Sequence, residues 1–242
     1  RRQLVADVDV GVMLSGGLDS SSIAALTAKV RGNSDFHTFA IGFDDPSFNE
    51  SQHAATVAQA LGTQHHTILI GPGDVERHLE SVVATIDEPY ADGSALPTAM
   101  LSAHAKEHVT VLLSGEGGDE MFSGYDTHAA SVARSLYRRL PQWLRTGVIT
   151  PAVQLLPVRH NKLSFDFKAK RFAQGAEFNP AQSHFAWRVV MAEEAKSSVA
   201  ILPHGMAPTH RLFEEAFDEC TSKDGLQKLL HVDRSYHLPD DL

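Results

Sequence analysis

The chain has 242 residues, 43% of them hydrophobic, and a formal net charge of −9. That is enough apolar content for a sizeable core, and the acidic balance argues against a general nucleic-acid binder. Its single cysteine, Cys220, excludes a disulfide framework and a cysteine-based metal site, and it points to a reducing, cytoplasmic setting. No apolar run approaches the roughly 18 residues of a membrane span, so no membrane partner is expected. The chain opens on Arg1 without an initiator Met and ends on Leu238-Pro239-Asp240-Asp241-Leu242; a domain of something longer is the expectation.

In chain order, residues 1–9 lead into the apolar run Val10, Val12, Met13 and Leu14, which stops at Ser15-Gly16-Gly17. The spacing of Ile23, Leu26 and Val30 predicts a helix directly after it, ending near Lys29, so the unit reads strand, tight turn, helix. Phe36–Phe43 reads as a second strand, rich in aromatic and β-branched residues. Asn49 is expected to cap a helix reaching Leu61, with Gly62 as its C-cap. His65–Ile70 reads as a third strand. Gly71-Pro72-Gly73 is a break after which Asp74 caps a helix whose apolar face carries Val75, Leu79, Val82, Val83 and Ile86. Asp87–Pro97 reads as a loop, Thr98–Lys106 as a helix and Val109–Leu113 as a fourth strand. This alternation predicts an α/β fold, a doubly wound, mostly parallel sheet whose ligands gather at the carboxyl ends of its strands.

The first strand-to-helix turn falls at such an end. Two adjacent glycines allow close backbone approach, and Ser20, Ser21 and Ser22 follow where helix N-terminal amides lack partners. Free amides, hydroxyls and a helix dipole suit a phosphate. The turn has neither the Gly-Lys-Ser/Thr of a Walker A loop nor the third glycine of a dinucleotide loop. Its charged residue is Asp19, and a carboxylate beside polyphosphate implies Mg²⁺ between them. The fourth strand ends on Ser114-Gly115-Glu116-Gly117-Gly118-Asp119-Glu120, where clustered acids would repel one another without a cation. Asp119 could therefore share Mg²⁺ with Asp19, leaving Glu116 and Glu120 to hold a second ion or orient substrate.

SGGLDSS resembles the signature of the N-type (PP-loop) ATP pyrophosphatases. Together with SGEGGDEMFSGY and the intervening EPYADGSALPT, it resembles the synthetase domain of glutamine-dependent asparagine synthetases, well over residues 2–126 and weakly beyond. The resemblance implies an adenine nucleotide α-hydrolase-like core over residues 1–126 and a helical extension over 127–242. It implies that Ser15, Gly16, Gly17, Asp19, Ser20 and Ser21 hold the pyrophosphate and metal, and that Leu14, Ile41, Ser114 and Gly115 wall the adenosine pocket. Glu116, Asp119 and Glu120 would be catalytic, with Asp19 and Asp119 on Mg²⁺. The implied reaction is ATP-dependent adenylation of aspartate or a related carboxylate, then attack by ammonia to give the amide and AMP. The family's glutaminase domain, which supplies the ammonia, and its later lysine motif are absent from this sequence, so the chain alone could bind Mg²⁺-ATP without turnover. A homodimer is an assembly this reading allows.

From Asp126 the pattern is helical, with Ala129, Ala133, Leu136, Tyr137 and Leu140 as one stripe and further helices expected over Ala181–Val199 and Leu212–Leu230. Arg134–Arg171 carries nine Lys/Arg against the single acid Asp166, a net +8 that leaves −17 for the rest. A solvated face or contact with an acidic domain explains it as readily as an anionic partner. It also keeps open the alternative of a tRNA-modifying ATP pyrophosphatase. Among fourteen histidines, the i, i+4 pair His104 and His108 and the adjacent His65-His66 lack a cysteine or the Glu of H-E-x-x-H, so no zinc site is expected.

Overall fold

Four apolar runs pair into one sheet in the computed structural model, which describes residues 1–86, 92–158, 164–199 and 205–241. The strands are β1 (Val10–Met13), β2 (His37–Phe43), β3 (Gln64–Ile70) and β4 (Val111–Leu113). All pairs are parallel, in the order β3-β2-β1-β4, with Val12 beside Thr38, Gly11 beside Leu112 and Phe39 beside His66. The chain leaves β1 toward β2 through α1 (Leu18–Arg31), and reaches β3 through α2 (Ser51–Leu61). It then crosses to the other side of β1 through α3 (Pro72–Val83) and α4 (Ala95–Ala105). The strand order therefore reverses at β1, and the turns after β1 and β4 lie where a doubly wound sheet binds ligands.

The two faces of the sheet bury separate clusters. Val12, Leu14, Phe36 and Ala40 pack on Ala24 of α1 and on Ala54 and Ala58 of α2. Phe39 and Val109 pack on Leu101 and Ala105 of α4. Enclosing side chains such as Leu14 and Phe39 contributes roughly 1.5–3 kcal/mol each.

The helices depart from the sequence pattern in instructive ways. The inward face of α1 is Ser20, Ala24 and Thr27, while Leu26 and Val30 are exposed. Small residues let α1 and the alanine face of α2 approach closely, and of the expected apolar stripe only Ile23 packs, half-buried, against that cluster. On α3 only Val82 is buried, and Val75, Leu79 and Val83 face solvent. Asp74 is not its N-cap: Gly71 is, Pro72 starts the helix, and the Asp74 carboxylate accepts from Gly71 N at 3.0 Å. Asn49 accepts from Ser51 N at 3.0 Å, one residue before the cap position Glu50. The expected loop up to Pro97 gives way to helix at Ala95, because a first-turn proline needs no amide; its beginning, residues 87–91, lies outside the described residues.

The chain divides into Arg1–Glu116 and Gly117–Leu242. In the described part of the second unit, α5 (Gly118–Phe122), α6 (Asp126–Tyr137), α7 (Gln142–Leu144), a π-turn (Arg145–Ile149) and α8 (Thr150–Gln154) come first. They are followed by α9 (Phe165–Gly175), α10 (Pro180–Arg188), α11 (Glu193–Val199), α12 (His210–Glu219), α13 (Gly225–Val232), a second π-turn (Asp233–His237) and α14 (Leu238–Asp241). The helix expected over 181–199 is two: the Arg171 guanidinium takes the carbonyls of Trp187 and Val189, and the backbone turns extended at Val189. The helix expected over 212–230 is also two. Cys220 is extended and Asp224 starts α13 by accepting from Leu226 N at 2.9 Å. On α6 the stripe Ala129, Ala133, Leu136 and Leu140 is exposed, and the buried residue is His128.

Candidate functional site

The turn after β1 is held by its own hydroxyls. Ser15 N donates to Ser20 Oγ at 3.1 Å, the two Oγ atoms lie 2.9 Å apart, and Gly17 N donates to Ser15 Oγ at 3.2 Å. Ser20 is buried, Ser21 half-buried, and Ser15, Gly17 and Leu18 are exposed. Gly17 is the N-cap of α1 and contributes no side-chain cap, so the first amides of the helix have no partner from within it. Gly16 has φ +83°, and a Cβ there would lie 2.6 Å from Ala54 N and from two atoms of His53, pinning the turn to the start of α2. Asp19, half-buried, is the one charged residue between Leu14 and Ser22.

The turn after β4 meets the first one. A Cβ on Gly115 would lie 2.7 Å from Ser20 N and 3.1 Å from both Asp19 C and Ser20 Cα, so only a glycine lets β4's end cross the first turn of α1. Ser114 Oγ accepts from Glu116 N at 3.3 Å, and Glu116 is exposed. Ser15, Gly16, Gly17, Asp19, Ser20, Ser21, Ser114 and Gly115 are thus gathered at one edge of the sheet. Leu14 and Ile41 are not gathered in the same way. Leu14, 1% exposed, belongs to the cluster under α1 and α2, whereas Ile41 packs with the cluster under α4.

Asp119 and Glu120 belong to the second unit. The Asp119 carboxylate folds over Gly124, leaving no room for a side chain there. Glu120 is 2% exposed and accepts from the Tyr125 hydroxyl, whose ring carries the Arg188 guanidinium at 4.2 Å. Burial and the Glu120 carboxylate push the Tyr125 hydroxyl well above the usual phenol range. The side chain of Glu120 is therefore engaged within its own unit.

Two histidine groups emerge, of which the sequence had marked only His104, His108 and His66, and as separate pairs. In the second unit, His128 Nε2 and His184 Nε2 each donate to one oxygen of Asp233 at 2.7 Å, with Arg188 Nη1 at 3.3 Å and the two imidazoles stacked at 5.6 Å. Burial alone would push the Asp233 carboxyl up, but the bonds from His128 and His184 outweigh it and hold it well below the usual range. Burial lowers His184 despite Asp233. In the first unit, His37, His66, His104 and His108 come together. Burial, then the neighbouring imidazoles of His108, His37 and His104, lowers His66.

Six of the nine basic side chains of the Arg134–Arg171 stretch are engaged inside the second unit. Arg134 and Lys170 donate to carbonyls of Phe178 and Leu156, and Arg171 to those of Trp187 and Val189. Arg138 and the buried Arg145 share Glu177, and Lys168 pairs with Asp126 at 2.8 Å. Arg159 and Lys162 lie outside the described residues.

The asparagine synthase family model matches residues 1–242. The chain is 37% identical over 229 residues to glutamine-hydrolyzing asparagine synthetase 1 of Bacillus subtilis (strain 168), covering 94% of this chain and 34% of that protein. It is 34% identical over 158 residues to glutamine-hydrolyzing asparagine synthetase B of Escherichia coli (strain K12), covering 57% and 27%. The chain thus spans about a third or less of these relatives. NMN synthetase from Francisella tularensis superposes over 95% of this chain and 85% of its own, at 17% identity and a TM-score of 0.39. So loose a likeness adds nothing to the fold read from the sheet itself. No described helix is long and apolar enough to cross a membrane.

Proposed function

We propose, from the fact that this chain belongs to the asparagine synthase family, that its first unit binds ATP in the turns after β1 and β4 and that the parent protein uses it to make an amide. The single observation that carries this reading is the contact of the two turns: Gly115 presses on the backbone of Asp19 and Ser20. Two glycine-rich turns are thereby fixed around the uncapped start of α1, which favours an anion.

The residues present suit a polyphosphate accompanied by a hard cation. The Ser15 and Ser20 hydroxyls and the amides of Leu18 and Asp19 would take phosphate oxygens, and Asp19 offers the carboxylate a hard cation prefers. The family resemblance alone proposes Asp119 as a second carboxylate for that cation. Mg²⁺ would supply charge neutralisation between polyphosphate and an incoming carboxylate. The carboxylate oxygen would attack the α-phosphorus, pyrophosphate would leave, and ammonia would displace AMP from the acyl-adenylate, losing a proton as the amide forms. Glu116, exposed beside Ser114, would orient the acyl group. Ile41 and the backbone of Leu14, Ser114 and Gly115 would border the adenosine; Leu14's side chain is enclosed in the core and would not. Glu120 serves by holding Tyr125. Aspartate is the proposed carboxylate, with ammonia from a glutaminase domain and a cytoplasmic setting, on the strength of the named relatives.

Calorimetric titration with ATP, with and without Mg²⁺, tests the site. Binding should require Mg²⁺ and weaken at least about tenfold, some 1.4 kcal/mol, in an Asp19→Ala chain shown to be folded by circular dichroism. Metal-independent binding, or binding unaffected by that substitution, would sink the assignment. With ammonium and aspartate added, products of ADP and phosphate in place of AMP and pyrophosphate would overturn the reaction.

A further inference from the structure

Three histidines from three separate segments converge at the starting end of the sheet, opposite the turns just described. His37 opens β2, His66 is the third residue of β3, and His108 follows α4 on the way to β4. Phe39 pairs with His66, and His37 shares Phe39's face, so His37 and His66 are diagonal neighbours across two strands. His37 Nδ1 lies 2.8 Å from His66 Nε2, and the His66 and His108 rings are 4.2 Å apart. One ring nitrogen from each of the three lies within 4.8 Å of the others. Phe39, fully buried, stacks on His66 at 5.0 Å and forms a rigid floor. His104, one turn before His108, stands 5.6 Å from it edge-on.

We propose that His37, His66 and His108 bind one divalent transition-metal ion of the zinc class, with water in the remaining position. Zinc–nitrogen bonds of about 2.0–2.1 Å place tetrahedral ligand nitrogens roughly 3.3 Å apart. The His37–His66 pair must open by about half an ångström, and His108, exposed on a connecting segment, closes the rest through its own rotation. Each metal-bound imidazole offers a lone pair at one nitrogen and keeps its proton on the other, so whichever of His37 and His66 donates in their hydrogen bond shifts its proton to its opposite ring nitrogen, and no proton is lost. The group contains no carboxylate. Imidazole-only ligation selects zinc, nickel or copper over Mg²⁺, which prefers oxygen. The site is therefore chemically distinct from the cation at Asp19, and it does not depend on the nucleotide reading. Its ligands join β2, β3 and the entry to β4, so the ion would add a clamp to strands already held by backbone bonds and the packing of Phe39 and Val109.

The test is zinc binding by equilibrium dialysis of the chelator-treated 242-residue chain, with Co²⁺ absorption as a report of ligand geometry. The wild-type chain should bind one more equivalent than His108→Ala or His66→Gln, or bind it at least tenfold more tightly, and a tetrahedral Co²⁺ spectrum should disappear in both. His108→Ala removes an exposed side chain, so its fold is expected to persist by circular dichroism. Excess Mg²⁺ should not displace the zinc. Zinc binding by the folded variants as tight and as stoichiometric as that of the wild-type chain, or none by the wild-type chain at zinc up to about 1 mM, overturns the proposal.

Discussion

Gly16 and Gly17 are adjacent, yet replacing each with alanine should have opposite consequences. Gly16 sits at φ +83°, where a side chain costs about 1–2 kcal/mol in the left-handed region. Its new Cβ would also lie 2.6 Å from backbone atoms of α2, about 1 Å inside a comfortable carbon contact. Backbone cannot rotate away, so α2 must shift, an overpacking cost of about 1–3 kcal/mol. Gly16→Ala should therefore lose about 2–5 kcal/mol, a large share of an ordinary domain's stability. Gly17 has φ −69° and ψ 168°, open to any residue, and a Cβ there meets only Ser15 Oγ at 3.3 Å. Gly17→Ala should cost no more than about 1 kcal/mol, through the weaker N-cap, yet impair Mg²⁺-ATP binding by standing where phosphate approaches. Both tryptophans, Trp143 and Trp187, lie in the second unit. Urea unfolding must therefore be followed by circular dichroism as well as fluorescence, and the dichroism midpoint should fall by about 1 M or more for Gly16→Ala. Equal midpoints for the two variants would refute the claim that Gly16 pins the turn to α2.

The second unit offers two further tests. Asp233→Ala leaves His128, His184 and Arg188 without their shared acceptor in a buried site, and should cost about 3–5 kcal/mol, read from the urea midpoint by Trp187 fluorescence beside His184; an unchanged midpoint would show the trio to be idle. The same transition should weaken on acidification. His184, facing Asp233, His128 and Arg188, is lowered in the folded state, so the unfolded chain binds the extra proton first. Stability is full above about pH 6.5 and falls below it, by at most about 1.4 kcal/mol per pH unit. The depressed Asp233 adds a further loss only below about pH 4. A flat profile between pH 7.5 and 5 would contradict this.

The sheet was legible because β1, β2 and β3 are short apolar or β-branched runs closed by turn residues, Gly16-Gly17 after β1, Asp44-Asp45-Pro46 after β2 and Gly71-Pro72 after β3, and the two turns gathered at its edge carry most of the marked residues. What escaped depended on tertiary register. The inward face of α1 is Ser20, Ala24 and Thr27, small residues suited to close approach, while Leu26 and Val30 on the same helix stay in solvent. His37 and His66 are distant in sequence and meet only because Phe39 pairs with His66 in the sheet. The pair His104 and His108 and the adjacent His65-His66 were visible in the sequence; that His66 joins the former pair, and that His37 completes the cluster from β2, was not. The two expected long helices broke where Arg171 takes the carbonyls of Trp187 and Val189 and where Asp224 starts a new helix, interactions that periodicity does not encode.

Charge in this chain is distributed against the simplest reading of composition. The segment with net +8 looks like a surface for anions, yet Arg134, Arg138, Arg145, Lys168, Lys170 and Arg171 hold carbonyls and carboxylates of their own unit. The turn expected to meet a polyphosphate carries no cation between Leu14 and Ser22, only Asp19. Amides, hydroxyls and the dipole of α1 carry partial charges, and the dipole amounts to roughly half a unit. They cannot neutralise a triphosphate that also faces a carboxylate. On the proposed reading, affinity for nucleotide at this turn would come with a divalent ion, which is why the dependence on Mg²⁺ discriminates more sharply than the affinity itself.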